Sequence, residues 1–232
     1  MSHPSIEILY EDNHILGVFK PAGLLTQGDR TGDPTALELA KRHIKKRHRK
    51  PGAVFLGAVH RLDRPVSGVM VFARTSKAAS RLSRSFHDRD VEKVYLAVVV
   101  GEMNEEAGEL RGHLERAHMR ARLVVAATTR SKEATLAFRV LARGDGMSLL
   151  EVTPRTGRHH QIRLQLSAAG HPIVGDLKYK AREPLLDRSI ALHAATLRFP
   201  HPVREEAVTL TAAPPSVPPW TRFAQAIAAY FA

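Results

Sequence analysis

Strand-like and helix-like stretches succeed one another along this chain of 232 residues without regular alternation, and no strand-like stretch runs into a glycine-rich dinucleotide fingerprint. A parallel sheet built from repeated strand–helix–strand units is therefore disfavoured. An α+β fold with a mixed, mostly antiparallel central sheet and flanking helices is expected instead. The chain opens on the alternating Ile6-Glu7-Ile8-Leu9-Tyr10, turns at Glu11-Asp12-Asn13 and resumes at Ile15-Leu16-Gly17-Val18-Phe19. That pattern reads as a hairpin, ended by Lys20-Pro21 because proline cannot continue a ladder.

Helical spacing predicts helices over 35–47, with Leu37, Ala40 and Ile44 on one side, over 76–86, with Ala79, Leu82 and Phe86, and over 161–169, stopped by Gly170 and Pro172. Further strands are expected in the apolar run Val69-Met70-Val71-Phe72 and over 93–100, 134–141, 148–152, 192–199 and 207–210. Residues 1–212 are expected to form one catalytic domain. In 213–232 a proline-rich linker precedes Trp220, Phe223, Ile227 and Tyr230 at helical spacing, which suggests a C-terminal helix packed on that domain. No separate N-terminal domain is expected before Ile6.

Lys and Arg total 35 against 23 Asp and Glu, a formal net charge of +12. Such a field attracts polyanions, so nucleic acid is the first partner to consider. The densest cationic stretch is Lys41 to Lys50, where Lys41, Lys45, Lys46, Arg47, Arg49 and Lys50 either hold RNA phosphates or form a solvated helix end. With no cysteine there are no disulfides, thiolate metal sites or cysteine nucleophiles, and a reducing cytoplasm suits the chain. No secretory signal pattern and no apolar run of membrane-spanning length is present. A monomer is expected.

Three residues stand out as candidates for chemistry. Asp63 lies between Arg61 and Arg64 in a turn ahead of Ser67-Gly68 and the apolar run. It either caps the turn before Pro65 or is an ionised carboxylate aimed at a partner. Tyr95 is a half-buried strand aromatic or a site residue, and Lys93 shares its face of the strand. Arg163 follows Arg155-Thr156-Gly157-Arg158-His159-His160-Gln161-Ile162 and sits where it could reach a partly buried carboxylate. Arg158 opposes the dipole at a helix start, so an anionic partner explains it better than local stability. His193 reads as a packed core histidine, and none of the 13 histidines falls in a zinc-protease pattern, so metal binding is not expected.

Several separated blocks then agree. Lys20-Pro21-Ala22-Gly23, His60-Arg61-Leu62-Asp63 with Ser67-Gly68, Lys93-Val94-Tyr95, and Gly157-Arg158 with His160-Gln161-Ile162-Arg163 occur in order. They are followed by Gly170-His171-Pro172-Ile173-Val174-Gly175-Asp176, Tyr179 and Leu192-His193-Ala194. The ordered set resembles the RluA-type RNA pseudouridine synthases over roughly residues 6 to 210. The resemblance implies the pseudouridine synthase fold with a deep active-site cleft, and isomerisation of uridine to pseudouridine in ribosomal or transfer RNA without cofactor or metal. It implies that Asp63 is the essential carboxylate, that Tyr95 stacks on or helps deprotonate the uracil, and that Arg163 pairs with Asp63. Arg61, Arg64, Lys93, Arg158, His160 and Gln161 become substrate-binding candidates. Val66, His159, Gln165 and Thr26-Gln27-Gly28 depart from the family's common residues, which bears on target choice.

Two other readings stand beside this one. A non-catalytic RNA-binding or ribosome-assembly protein could keep the fold, although Asp63, Tyr95 and Arg163 argue for activity. A hydrolase would need Asp63 and Asp176 as a carboxylate pair at a set separation.

Overall fold

The structure, a computed structural model, describes residues 6–117, 120–124 and 127–232. Its first elements are strands β1 (Glu7–Glu11) and β2 (Ile15–Lys20), helix α1 (Ala36–Arg47), strands β3 (Gly57–Ala58) and β4 (Ser67–Ala73), and helix α2 (Ser76–Asp88). Next come β5 (Glu92–Val100), β6 (Ala107–Ala117), β7 (Arg120–Val124), β8 (Ser131–Gly144), β9 (Met147–Pro154) and α3 (Gln161–Ala168). Strands β10 (Leu192–Pro200) and β11 (Ala207–Thr211) precede the C-terminal helix α4 (Ala224–Phe231), and short 3-10 turns occupy Leu177–Tyr179 and Trp220–Phe223. The fold is α+β, as the irregular order of elements predicts. The chain packs as two compact units, Met1–Glu92 with Ala194–Ala212, and Lys93–His193 with Ala213–Ala232.

In the first unit β2 lies between β1 and β4, antiparallel to both. β3 extends β4 by two pairs, and β10 lies beside β4 and pairs with β11. The β1–β2 turn is closed by Asp12, whose carboxylate accepts the N–H groups of His14 at 2.7 Å and Ile15 at 2.8 Å. This is the usual service of an aspartate in a turn. Helix α1 rests on β2 and helix α2 on β4. All seven residues of β4 are buried, which is why its sequence is a continuous apolar run and not an alternation. Val69, Val71, Leu82, Leu197, Phe199 and Leu210 belong to one apolar cluster, and burial of each such side chain contributes about 1.5–3 kcal/mol.

At its N-terminus α1 carries a capping box, with Thr35 and Glu38 each bonded to the other's backbone N–H. Its buried face is Ala36, Leu39, Ala40 and Ile44. Leu37, expected on that face, is only half-buried, and Leu39 takes its place against the core. Gly68 opens β4 at φ +130, and a Cβ there would lie 2.7 Å from the Cα of Ala194. Only glycine allows that approach of two backbones.

In the second unit β5, β9, β8, β6 and β7 follow one another as an antiparallel ladder. β6 and β7 are additions to the strands expected from sequence. In β6 Glu109, Arg111, His113 and Glu115 alternate with Gly108, Leu110, Gly112 and Leu114, a period of two whose apolar half is diluted by glycine. Neighbouring side chains lie over those glycines: a Cβ at position 108 would meet the Phe138 ring at 2.9 Å, and one at 112 would meet Leu123 at 2.6 Å, so either side chain would have to shift. Cross-strand ion pairs join Glu115 to Arg122 and Arg139 to Glu151. In the C-terminal segment Trp220 and Phe223 are buried, with His193 fully buried and edge-on to the Trp220 ring at 6.2 Å. The helix expected to begin near Trp220 starts as a 3-10 turn and becomes α-helical at Ala224.

Candidate active site

The Asp63 turn is built by groups distant in sequence. The Val66 N–H donates to the Asp63 carbonyl at 3.1 Å. Buried Thr26 exchanges hydrogen bonds with Leu62, its hydroxyl donating to the Leu62 carbonyl at 2.9 Å and accepting the Leu62 N–H at 3.2 Å. The Gly23 N–H donates to the Arg64 carbonyl at 2.8 Å. His60 stacks on Phe86 with ring centroids 4.7 Å apart and accepts the Val71 N–H at 3.0 Å. Asp63 is half-buried in this frame.

Beneath the turn lies Lys20, fully buried. Its ammonium donates to the carbonyls of Leu24 at 2.8 Å, Pro21 at 3.0 Å and Arg64 at 3.4 Å. Burial pulls its pKa down to about 7, against the attraction of the Asp63 charge and with some help from repulsion by Arg64. Sequence reasoning noted Lys20 only as the end of a strand and part of a motif. A fully buried lysine is rare enough to mark a site, but its burial does not show in sequence: two of the carbonyls that hold it, of Pro21 and Leu24, are close by, and the third, of Arg64, is 44 residues away.

The flanking arginines differ from each other. Arg61 is exposed. Arg64 is tied to Asp33 at 2.8 Å and to the Gly23 carbonyl at 3.0 Å, so part of its capacity as a substrate ligand is spent on the protein.

In the second unit Tyr95 is half-buried on β5, opposite Val152 of β9. Lys93 shares its face, and the Lys93 ammonium is 3.6 Å from the point where a Cβ on Gly157 would stand, so it lies against the loop that leads into α3. That loop is organised by Gln161. Its amide oxygen accepts from the Thr156 hydroxyl at 2.7 Å and the Arg158 N–H at 3.0 Å, and its nitrogen donates to the Thr135 carbonyl at 3.0 Å. Gln161 is therefore buried and holds the loop together. The Arg158 side chain donates to the Glu133 carbonyl at 3.1 Å. His160 is the N-cap of α3 in a left-handed conformation, φ +56, and stacks on His159 with centroids 3.7 Å apart.

Arg163 is on the buried face of α3 with Ile162 and Leu166 and does reach a buried carboxylate. Its Nε and Nη2 donate to the two oxygens of Asp176 at 2.7 and 2.8 Å. The pair is 6% and 1% exposed, a bidentate geometry that makes a strong charge-assisted contact. Both Asp176 oxygens are thus engaged by Arg163.

The basic end of α1 is exposed at Lys45, Lys46, Arg47, Arg49 and Lys50 and half-buried at Lys41. Lys45, Lys46 and Arg47 occupy its last turn, where cations suit the helix dipole. One acid anchors it: Glu11 receives His43 at 3.0 Å, His48 at 2.6 Å, Arg74 at 3.1 Å and Arg47 at 3.5 Å. Burial would raise the Glu11 pKa, but the bonds from His48 and His43 and the charges of Arg74 and Arg47 outweigh it and hold the carboxyl below its usual range.

Comparison with known proteins gives the chain's relatives. Residues 14–168 match the family model described as RNA pseudouridylate synthase. The chain is 34% identical over 216 residues to the dual-specificity RNA pseudouridine synthase RluA of Haemophilus influenzae, covering 90% of this chain and 93% of that protein. It is 37% identical over 227 residues to the ribosomal large subunit pseudouridine synthase D of Xylella fastidiosa, covering 90% and 66%. Among solved structures it is similar to human RNA pseudouridylate synthase domain containing 4, with a TM-score of 0.76, 25% identity and coverage of 90% and 88%.

Proposed function

Because the chain belongs to the RNA pseudouridylate synthase family and so isomerises uridine in RNA to pseudouridine, we propose that Asp63 is its essential carboxylate and that Tyr95 and Arg163 serve the same reaction. Neither cofactor nor metal takes part, and the target uridines lie in ribosomal or transfer RNA. The observation that carries this reading is the construction of the Asp63 turn over a fully buried ammonium, that of Lys20. A protein has no stability reason to bury a lysine there, since the desolvation cost is large. Below about pH 7, where Lys20 keeps its proton, its charge favours an ionised carboxylate above it.

The chemistry uses these residue types. Breaking the C1′–N1 bond of uridine develops positive charge at C1′ and negative charge on the uracil. An ionised Asp63 acts at C1′ as nucleophile or electrostatic partner. The freed base turns and rejoins through C5, after which the C5 proton must leave. Tyr95 stacks on the uracil or assists that removal. Lys93 and Arg158 contribute positive charge for the anionic base and the phosphates, with Arg61, Arg64 and His160 as further substrate contacts. The nucleotide is flipped from its stack to be reached, which favours RNA loops over regular helices. Lys41, Lys45, Lys46, Arg47, Arg49 and Lys50 hold phosphates outside the reacting nucleotide.

The test is to map pseudouridine in total RNA from cells with and without the gene, and to compare the native chain with Asp63→Asn in vitro, each with and without EDTA. The native chain is expected to form product in either buffer and Asp63→Asn to form none. Equal product from both proteins would remove Asp63 from the mechanism, and loss of product in EDTA would remove the metal-free claim.

A further inference from the structure

The 3-10 turn Leu177–Tyr179 delivers a side chain that meets both His160 and Arg163. Tyr179 is 5% exposed. Its hydroxyl lies 2.7 Å from His160 Nδ1 and accepts the backbone N–H of Ala121 at 3.1 Å. Its ring lies 5.1 Å from the Arg163 guanidinium carbon and stands edge-on to the His160 ring at 87°.

A hydroxyl carries a single proton. The Ala121 N–H is a main-chain donor that cannot be reversed, so toward it the tyrosine oxygen is an acceptor and its own proton stays available. At 2.7 Å, His160 Nδ1 lies where it can take that proton in a hydrogen bond. Nδ1 is then an acceptor, and the proton of the neutral imidazole stands on Nε2. The ring is held in that pose by its stack on His159 and by a left-handed backbone at the start of α3. The same tyrosine ring presents its electron-rich face to Arg163, whose Nε and Nη2 are bound by Asp176.

We propose that Tyr179 is a positioning residue: its hydroxyl keeps His160 in the Nε2–H tautomer and its ring fixes Arg163, so that both side chains act on the nucleotide in one set arrangement. This rests on the function proposed above, in which His160 and Arg163 serve the isomerisation. Tyr179 transfers no proton in the reaction and acts only through its two neighbours. Tyr179→Phe removes the hydroxyl and keeps the ring, while Tyr179→Leu removes both.

Nitrogen-15 spectra of histidine-labelled protein read the tautomer directly. Native His160 is expected to be protonated on Nε2, and Tyr179→Phe to show a mixture. On unmodified total RNA, kcat is expected to fall about tenfold in Tyr179→Phe with KM changed less than twofold, and about tenfold further in Tyr179→Leu, as for misplaced catalytic groups. A native His160 protonated on Nδ1 would overturn the proposal. So would a Tyr179→Phe variant with native tautomer and native kcat. A native chain that forms no pseudouridine would defeat the proposed function instead, while the spectra would still decide the tautomer.

Discussion

Lys20 offers a test that stands on one titration. In the unfolded chain a lysine keeps its proton to about pH 10.4, whereas in the fold Lys20 releases it near pH 7, mainly through burial. Between these values the unfolded state binds more protons, so stability rises with pH. The contribution is complete above the unfolded value and is lost as pH falls through about 7. Integrated from pH 7 to pH 9, it amounts to about 2 kcal/mol. Lys20→Met keeps an unbranched stem and abolishes the titration. The other groups titrate alike in both proteins, so the difference between their stability curves isolates Lys20. With a urea m-value of about 3 kcal/mol/M, the native midpoint should gain about 0.7 M more than the variant's between pH 7 and pH 9. Midpoints that rise in parallel would refute a buried lysine with a depressed pKa at this turn.

Four further outcomes are expected. Asp176→Asn should cost about 3 kcal/mol in urea unfolding, because it strips a buried guanidinium of its countercharge; a cost below about 1 kcal/mol would contradict a desolvated pair. Gly68→Ala should destabilise by about 3 kcal/mol or more, since its Cβ would collide with the Ala194 backbone at a φ that alanine rarely adopts, and a native thermal midpoint would disprove the close approach. Thr35→Ala should lose about 1 kcal/mol with the capping box, lowering Tm by about 2–4 °C, while Thr35→Ser should stay near native. Neutralising Lys45, Lys46, Arg47 and Arg49 together should weaken RNA binding and reduce the slope of log affinity against log salt by up to about 3; an unchanged slope would reject phosphate contacts by that helix end.

Local rules served well where local forces decide. Helices α1, α2 and α3 begin right after Thr35, Thr75 and His160, within a residue of the expected starts, and the fully buried β4 was visible as an apolar run. The face of α1 was misjudged by a small rotation, since Leu37 and Leu39 both suit an apolar stripe and only packing on β2 chooses between them. The β6–β7 hairpin escaped notice because Gly108 and Gly112 supply no apolar signal of their own; Phe138 and Leu123 from neighbouring strands fill their places. In the candidate site Asp63, Tyr95 and Arg163 became candidates through the family resemblance, since a turn aspartate and a strand tyrosine each have an ordinary local explanation. The buried charge of Lys20, the hold of Asp176 on Arg163 and the two-way contact of Tyr179 were not legible in sequence. Each is created by tertiary packing, through carbonyls, a turn or a strand remote along the chain.

Glu11 gathers two histidines and two arginines from α1, its C-terminal end and β4's following residue onto a single carboxyl group. A clasp of that kind opens all at once. When acid neutralises the carboxyl, four cations lose their common anchor in the same event and are left to repel one another. Hydrogen exchange in acidic buffer should therefore show the last turn of α1 releasing its amides as a group, ahead of the strands on which the helix lies.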